Sequence, residues 1–70
     1  MATIEVEQAV REVETEEERV LRWRHEELRR AGYPDRLALK VALRRNVDLH
    51  RAVDLLRRGC PPETAARILL

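Results

Sequence analysis

Phenylalanine is absent from this chain of 70 residues, and its aromatic content is one Trp and one Tyr. Strands draw heavily on aromatic and β-branched side chains, so this shortage, beside plentiful Ala, Leu, Arg and Glu, favours helices. Cysteine is nearly absent too. Cys60 stands alone, which excludes an internal disulfide. The two histidines, His25 and His50, form no CxxC, HxxxH or HExxH spacing with it or with each other, so no metal site is expected. Only two glycines occur, and neither belongs to a GxGxxG, P-loop or GxSxG pattern. Glu26 and Glu27 lie beside His25, but adjacent helical residues do not face one another and no nucleophile accompanies them. The expectation is therefore a protein that is not an enzyme and takes no cofactor. No apolar run approaches the roughly 18 residues of a membrane span and no signal-peptide core is present, so a cytoplasmic protein without a membrane partner is expected.

What is present is charge, unevenly spread. Residues 1–18 carry seven Glu and one Arg, a net of −6, whereas residues 19–70 carry a net of +7. An acidic arm is thus attached to a basic body, either as a solubilising tail, as a shield over a basic surface, or as one half of a head-to-tail contact between copies. Thirteen Arg against one Lys points to a GC-rich, bacterial genome. Seventy residues support one domain with a small core, which self-association or a partner can complete.

The organisation expected is an N-terminal acidic extension over 1–14 and a helical bundle over 15–70. Within the extension, Ile4, Val6, Val10 and Val13 suit either a mobile arm or a helix formed on association. Thr15 with Glu18 is a capping box, which starts a first helix over 16–31 with Val20, Leu21, Leu28 and Ala31 inward, the stem of Arg24 beside them and Trp23 at the edge. Gly32 and Pro34 end it. A second helix over 35–45 is apolar through Leu37, Ala38, Val41 and Ala42, broadened by Leu39 and Leu43, and should be the central, surrounded one. Asn46, tolerant of the left-handed conformation, and Asp48, a cap, lead into a third helix over 49–58. Its inward face should be Leu49, Ala52, Val53 and Leu56, with Leu55 off the stripe. Gly59 stops it, and Pro61-Pro62 open a fourth helix over 62–69 with Ala65, Ile68 and Leu69 as its stripe.

Leu28, Gly32-Tyr33, Ala38, Ala42-Leu43, Asn46, Ala52 and Leu55-Leu56, in this order and spacing, resemble the ubiquitin-associated (UBA) domain family. The resemblance covers under half of the chain. It implies a compact bundle of three helices that binds another protein through the glycine-aromatic loop and the end of the third helix. Carried onto this chain, that surface is Ala31, Gly32, Tyr33, Leu55 and Leu56, with Ala31 standing where the family usually has Met and Tyr33 where it usually has Phe. Bacterial translation factors with a similar small bundle use it to grip a protein, so protein binding is what transfers, rather than ubiquitin binding.

The resulting expectation is an all-α, UBA-like bundle of three helices plus a short fourth, acting as a non-catalytic protein-interaction module that self-associates, as a homodimer or larger homo-oligomer. The alternative is a helix-turn-helix-like nucleic-acid-binding regulator with an acidic shielding arm. Acids at Glu26, Glu27, Asp35, Asp48 and Asp54 interrupt its would-be basic stripe, which favours the protein partner.

Overall fold

The structure, a computed structural model, describes residues 14–70. Four helices make up these residues, with no strand among them: α1 Glu16–Ala31, α2 Asp35–Leu43, α3 Leu49–Arg57 and α4 Pro62–Leu69. The chain is a small helical bundle, as composition and periodicity imply. The expected acidic extension over 1–14 lies, up to residue 13, outside the described residues.

The bundle consists of two helical hairpins built around the same joint. At the end of α1, the Gly32 amide donates to the Arg29 carbonyl and the Tyr33 amide to the Leu28 carbonyl, each at 3.1 Å. At the end of α3, the Gly59 amide donates to Leu56 and the Cys60 amide to Leu55, each at 3.0 Å. Both are Schellman caps. Both need a positive φ at the residue that closes them, which Gly32 (124°) and Gly59 (92°) supply. A proline follows by two residues in each case, and extended Pro34 and Pro61 become the N-caps of α2 and α4. Gly-Tyr-Pro and Gly-Cys-Pro are therefore equivalent corners.

Packing follows from these corners. The residue before the N-cap is apolar in α2, α3 and α4 (Tyr33, Val47 and Cys60), and the fourth helical residue is Ala38, Ala52 and Ala65 respectively. This is the spacing of a hydrophobic staple. All three alanines are 0 % exposed, so each of these small side chains is fully covered by its neighbours. Helix α1 packs on α2 and α3, and α4 packs on α3 and α2, whereas α2 and α3 make no helix-to-helix contact. The Tyr33 hydroxyl donates to the Ala52 carbonyl at 2.7 Å, tying the α1–α2 corner to the middle of α3.

Several expectations about faces are corrected by this arrangement. Helix α2 buries Leu37, Ala38, Val41 and Ala42, but it is not surrounded: Leu39 and Leu43 lie in solvent. It ends at Leu43 rather than near 45, because Arg44 turns to an extended conformation (ψ 97°). Asn46 does not take the left-handed conformation; no residue other than glycine has a positive φ among the described residues. In α3, Leu55 packs against the core and Val53 does not join it. In α4, Ala65, Ala66 and Leu69 turn inward and Ile68 turns out. The Thr15 hydroxyl accepts from the Glu18 amide at 3.1 Å, and the Asp48 carboxylate accepts from the His50 amide at 2.9 Å, so both side-chain caps form at the residues expected.

Two outcomes follow for stability. Replacing Ala52→Leu should cost about 1–3 kcal/mol in chemical unfolding, because the site has no room for the added methylenes. Tyr33→Phe should cost about 1 kcal/mol by losing one buried hydrogen bond. Burial pushes the Tyr33 hydroxyl above its ordinary value of 10.0, and the neighbouring Cys60 thiolate adds to the shift. A phenol whose folded-state value is raised contributes fully below pH 10 and loses that contribution as pH climbs through the folded-state value. Unfolding free energy should therefore fall in the alkaline range, and fall less steeply in Tyr33→Phe.

Candidate functional site

The five residues of the expected partner-binding corner come together, but not as an open patch. A side-chain carbon at Gly32 would sit 3.5 Å from Leu56 Cδ1, which places the α1–α2 corner over the end of α3. Ala31, Leu55 and Leu56 are partly covered and pack against the core. Tyr33 is 3 % exposed and its hydroxyl is already satisfied, so the expectation of an exposed ring is corrected. It serves the staple of α2 and the bond to α3 at once, and neither can be made from the surface. Of the five, Gly32 alone is exposed.

Apolar surface lies elsewhere. Among the described residues, the exposed large apolar side chains are Val20 (48 %), Trp23 (54 %), Leu39 (42 %), Leu43 (58 %), Ile68 (53 %) and Leu70 (47 %). Four of these belong to α1 and α2. Val20 and Leu43 line one open groove of about 860 Å³ between the first turns of α1 and the last turn of α2, with Leu21 and Ala42 at its base. Trp23 is one turn from Val20 and shares a shallow depression with it. Leu39 is one turn from Leu43. Val20 thus belongs both to the groove and to the depression at Trp23, and the four side chains form the exposed apolar strip of the first hairpin. The periodicity of α2 could have shown it: Leu39 and Leu43 share a face that Leu37, Ala38, Val41 and Ala42 do not need.

The groove carries its own electrostatics. Glu16, Glu17 and Glu18 occupy its rim. They are in the first turn of α1, where the helix dipole and the unpaired amides favour carboxylates. Arg45 reaches across to Glu17 at 2.8 Å, while Glu16 and Glu18 make no ion pair among the described residues. The groove's wall is set by Arg24. Its Nη2 donates to the Arg44 carbonyl at 3.0 Å and to the Val47 carbonyl at 2.9 Å, so one guanidinium from α1 holds the corner between α2 and α3. The Val47 amide in turn donates to the Arg44 carbonyl at 3.1 Å. This explains the early end of α2, since the Arg44 carbonyl is turned toward Arg24 and the Val47 amide. The sequence reading placed only the stem of Arg24 at the core edge and missed the role of its head.

Some of the remaining charge is paired. Arg22 meets Glu14 at 3.1 Å, Arg30 meets Glu27 at 3.1 Å and Arg58 meets Asp54 at 2.8 Å. Asp35 lies 2.9 Å from His25 Nε2 and 3.6 Å from Arg29, the first contact being close without hydrogen-bond alignment. No group of three or more His, Cys, Asp or Glu residues is placed to hold a metal ion among the described residues. Cys60 is a half-buried free thiol at the second corner. None of the described helices is long and apolar enough to cross a membrane. No family model, curated protein or solved structure matches the chain.

Arg24→Met keeps the apolar stem and removes both carbonyl contacts. It should lower stability by about 1.5–3 kcal/mol, the range for hydrogen bonds to a charged group. Amide exchange at Val47 should accelerate more than at Tyr33, because the corner between α2 and α3 loosens and the corner between α1 and α2 does not.

Proposed function

We propose that this chain is a non-catalytic protein-interaction module whose gripping surface is the apolar strip of the first hairpin. The observation that carries the reading is the strip itself. Val20, Trp23, Leu39 and Leu43 are all exposed on the two helices of the first hairpin, with Val20 and Leu43 lining one groove, while half of the buried core residues are alanines. Contiguous apolar surface rimmed by charge is the signature of a protein contact, and Trp is over-represented among residues that dominate such contacts. The UBA-like organisation belongs to the same proposal. It is supported by the glycine-aromatic corner after α1, the corner at Asn46 and the paired leucines at the end of α3. What differs from the family expectation is the location of the contact, since the Tyr33 ring is engaged in the core.

Arg22, Arg29, Arg30, Arg45 and Arg58 are each within 4 Å of an acid, whereas Arg36, Lys40 and Arg44, spaced one turn apart along α2 and its C-cap, make no ion pair among the described residues, so salt dependence is the measurement that separates a protein partner from a nucleic acid.

The test is partner capture by the immobilised chain. Trp23→Glu with Leu43→Glu should reduce capture by at least about tenfold, as expected for loss of a central contact. Both residues are more than half exposed, so circular dichroism should show the helices intact. Ala31→Arg, at the Gly32 corner, should leave capture unchanged. Loss with Ala31→Arg alone would move the surface to the corner, and steeply salt-dependent retention on DNA or RNA in place of protein capture would favour the nucleic-acid reading.

A further inference from the structure

Two of the exposed apolar side chains, Ile68 and Leu70, are not part of the strip. They lie at the far end of α4, one on each side of Arg67 in the helical projection. Ala65, Ala66 and Leu69 take the inward face of this helix, so Arg67, Ile68 and Leu70 stand out as a knob with a cation between two apolar groups. Arg67 is exposed and makes no ion pair among the described residues.

The groove of the first hairpin is the chemical complement of that knob. Its floor and walls are Val20, Leu21, Ala42 and Leu43, and its rim holds, beside the paired Glu17 and Arg45, Glu16 and Glu18, which make no ion pair among the described residues. From this we infer that the occupant of the groove is the α4 end of a second copy of this chain. Arg67 faces the acidic rim, and Ile68 and Leu70 cover Val20 and Leu43. This inference rests on the groove being the gripping surface and names what it grips. Pairing groove with groove is disfavoured, because it brings two acidic first turns into one interface, whereas knob and groove carry opposite charge. Because knob and groove are different patches, the contact is heterologous. Each copy then offers one of each, and association proceeds head to tail instead of stopping at a symmetric pair. The small number of side chains places it in the weak, concentration-dependent class.

The experiment is sedimentation velocity on the full chain, with Leu43→Glu disabling the groove and Ile68→Glu disabling the knob. Both positions are more than half exposed, and circular dichroism verifies that each variant folds. The weight-average mass of the unaltered chain should rise between roughly 10 µM and 1 mM, the range for an interface below about 1,200 Å² in total, and should fall back as salt increases. Each variant alone should stay a monomer over that range. An equimolar mixture of the two should form a dimer and nothing larger, since one intact groove and one intact knob remain. A monomeric unaltered chain at 1 mM would overturn the inference, as would association of Ile68→Glu to the same mass as the unaltered chain, or a mixture that stays monomeric. If the unaltered chain is monomeric yet Trp23→Glu with Leu43→Glu abolishes capture of a different protein, this inference falls and the gripping surface stands.

Discussion

Three alanines set the geometry of the bundle. Ala38, Ala52 and Ala65 each occupy the fourth position of a helix, and each has an apolar residue just ahead of the same helix's N-cap. All three are fully buried, and a close-packed site built around a methyl group leaves no space for a larger side chain. Tyr33 links two of the three sites. Its ring precedes the helix that carries Ala38, and its hydroxyl bonds the carbonyl of Ala52. The glycines at 32 and 59 then have a definite task, which is to reverse the chain so that the residue before the next N-cap falls over that helix's alanine.

A core of alanines has a consequence at the surface. Small domains expose a large share of their apolar atoms, and a core built from small residues leaves bulkier ones outside. In this chain four of the six bulkier exposed residues belong to the first hairpin: Leu39 and Leu43 on the outer face of α2, and Val20 and Trp23 on α1, with Val20 and Leu43 facing one groove whose wall includes Arg24. The acidic first turn of α1 closes one end. The first hairpin is thus divided: its inner face carries the staple of Tyr33 and Ala38, and its outer face exposes Val20, Trp23, Leu39 and Leu43.

The four helices were legible because each boundary has a local chemical cause. Thr15 and Asp48 cap with their side chains, and Gly32, Gly59 and the prolines after them turn the chain. Periodicity also revealed the buried face of α2. Faces wide enough to be ambiguous were harder. In α3, Val53 and Leu55 lie on opposite sides of the helix, and it is the side of Leu55, with Leu56, that packs on the core. In α4, Ala66 displaces Ile68 because close packing favours the smaller residue. Tyr33 was misjudged as exposed for a related reason. A tyrosine in a loop reads as surface unless its place before an N-cap, five residues ahead of the position that becomes buried Ala38, is counted. The double carbonyl contact of Arg24 spans 20 and 23 residues along the chain, and no local pattern announces it.

Methyl-resolved NMR of the full chain, followed from dilute to concentrated solution and then with a captured protein added, tests the central claim most directly. The methyl signals of Val20, Leu39 and Leu43 should move with occupancy, while those of Leu28, Val41 and Leu55 hold still because the core does not rearrange. Movement confined to Leu55 and Leu56, with Val20 and Leu43 unchanged throughout, would contradict it and return the contact to the glycine corner.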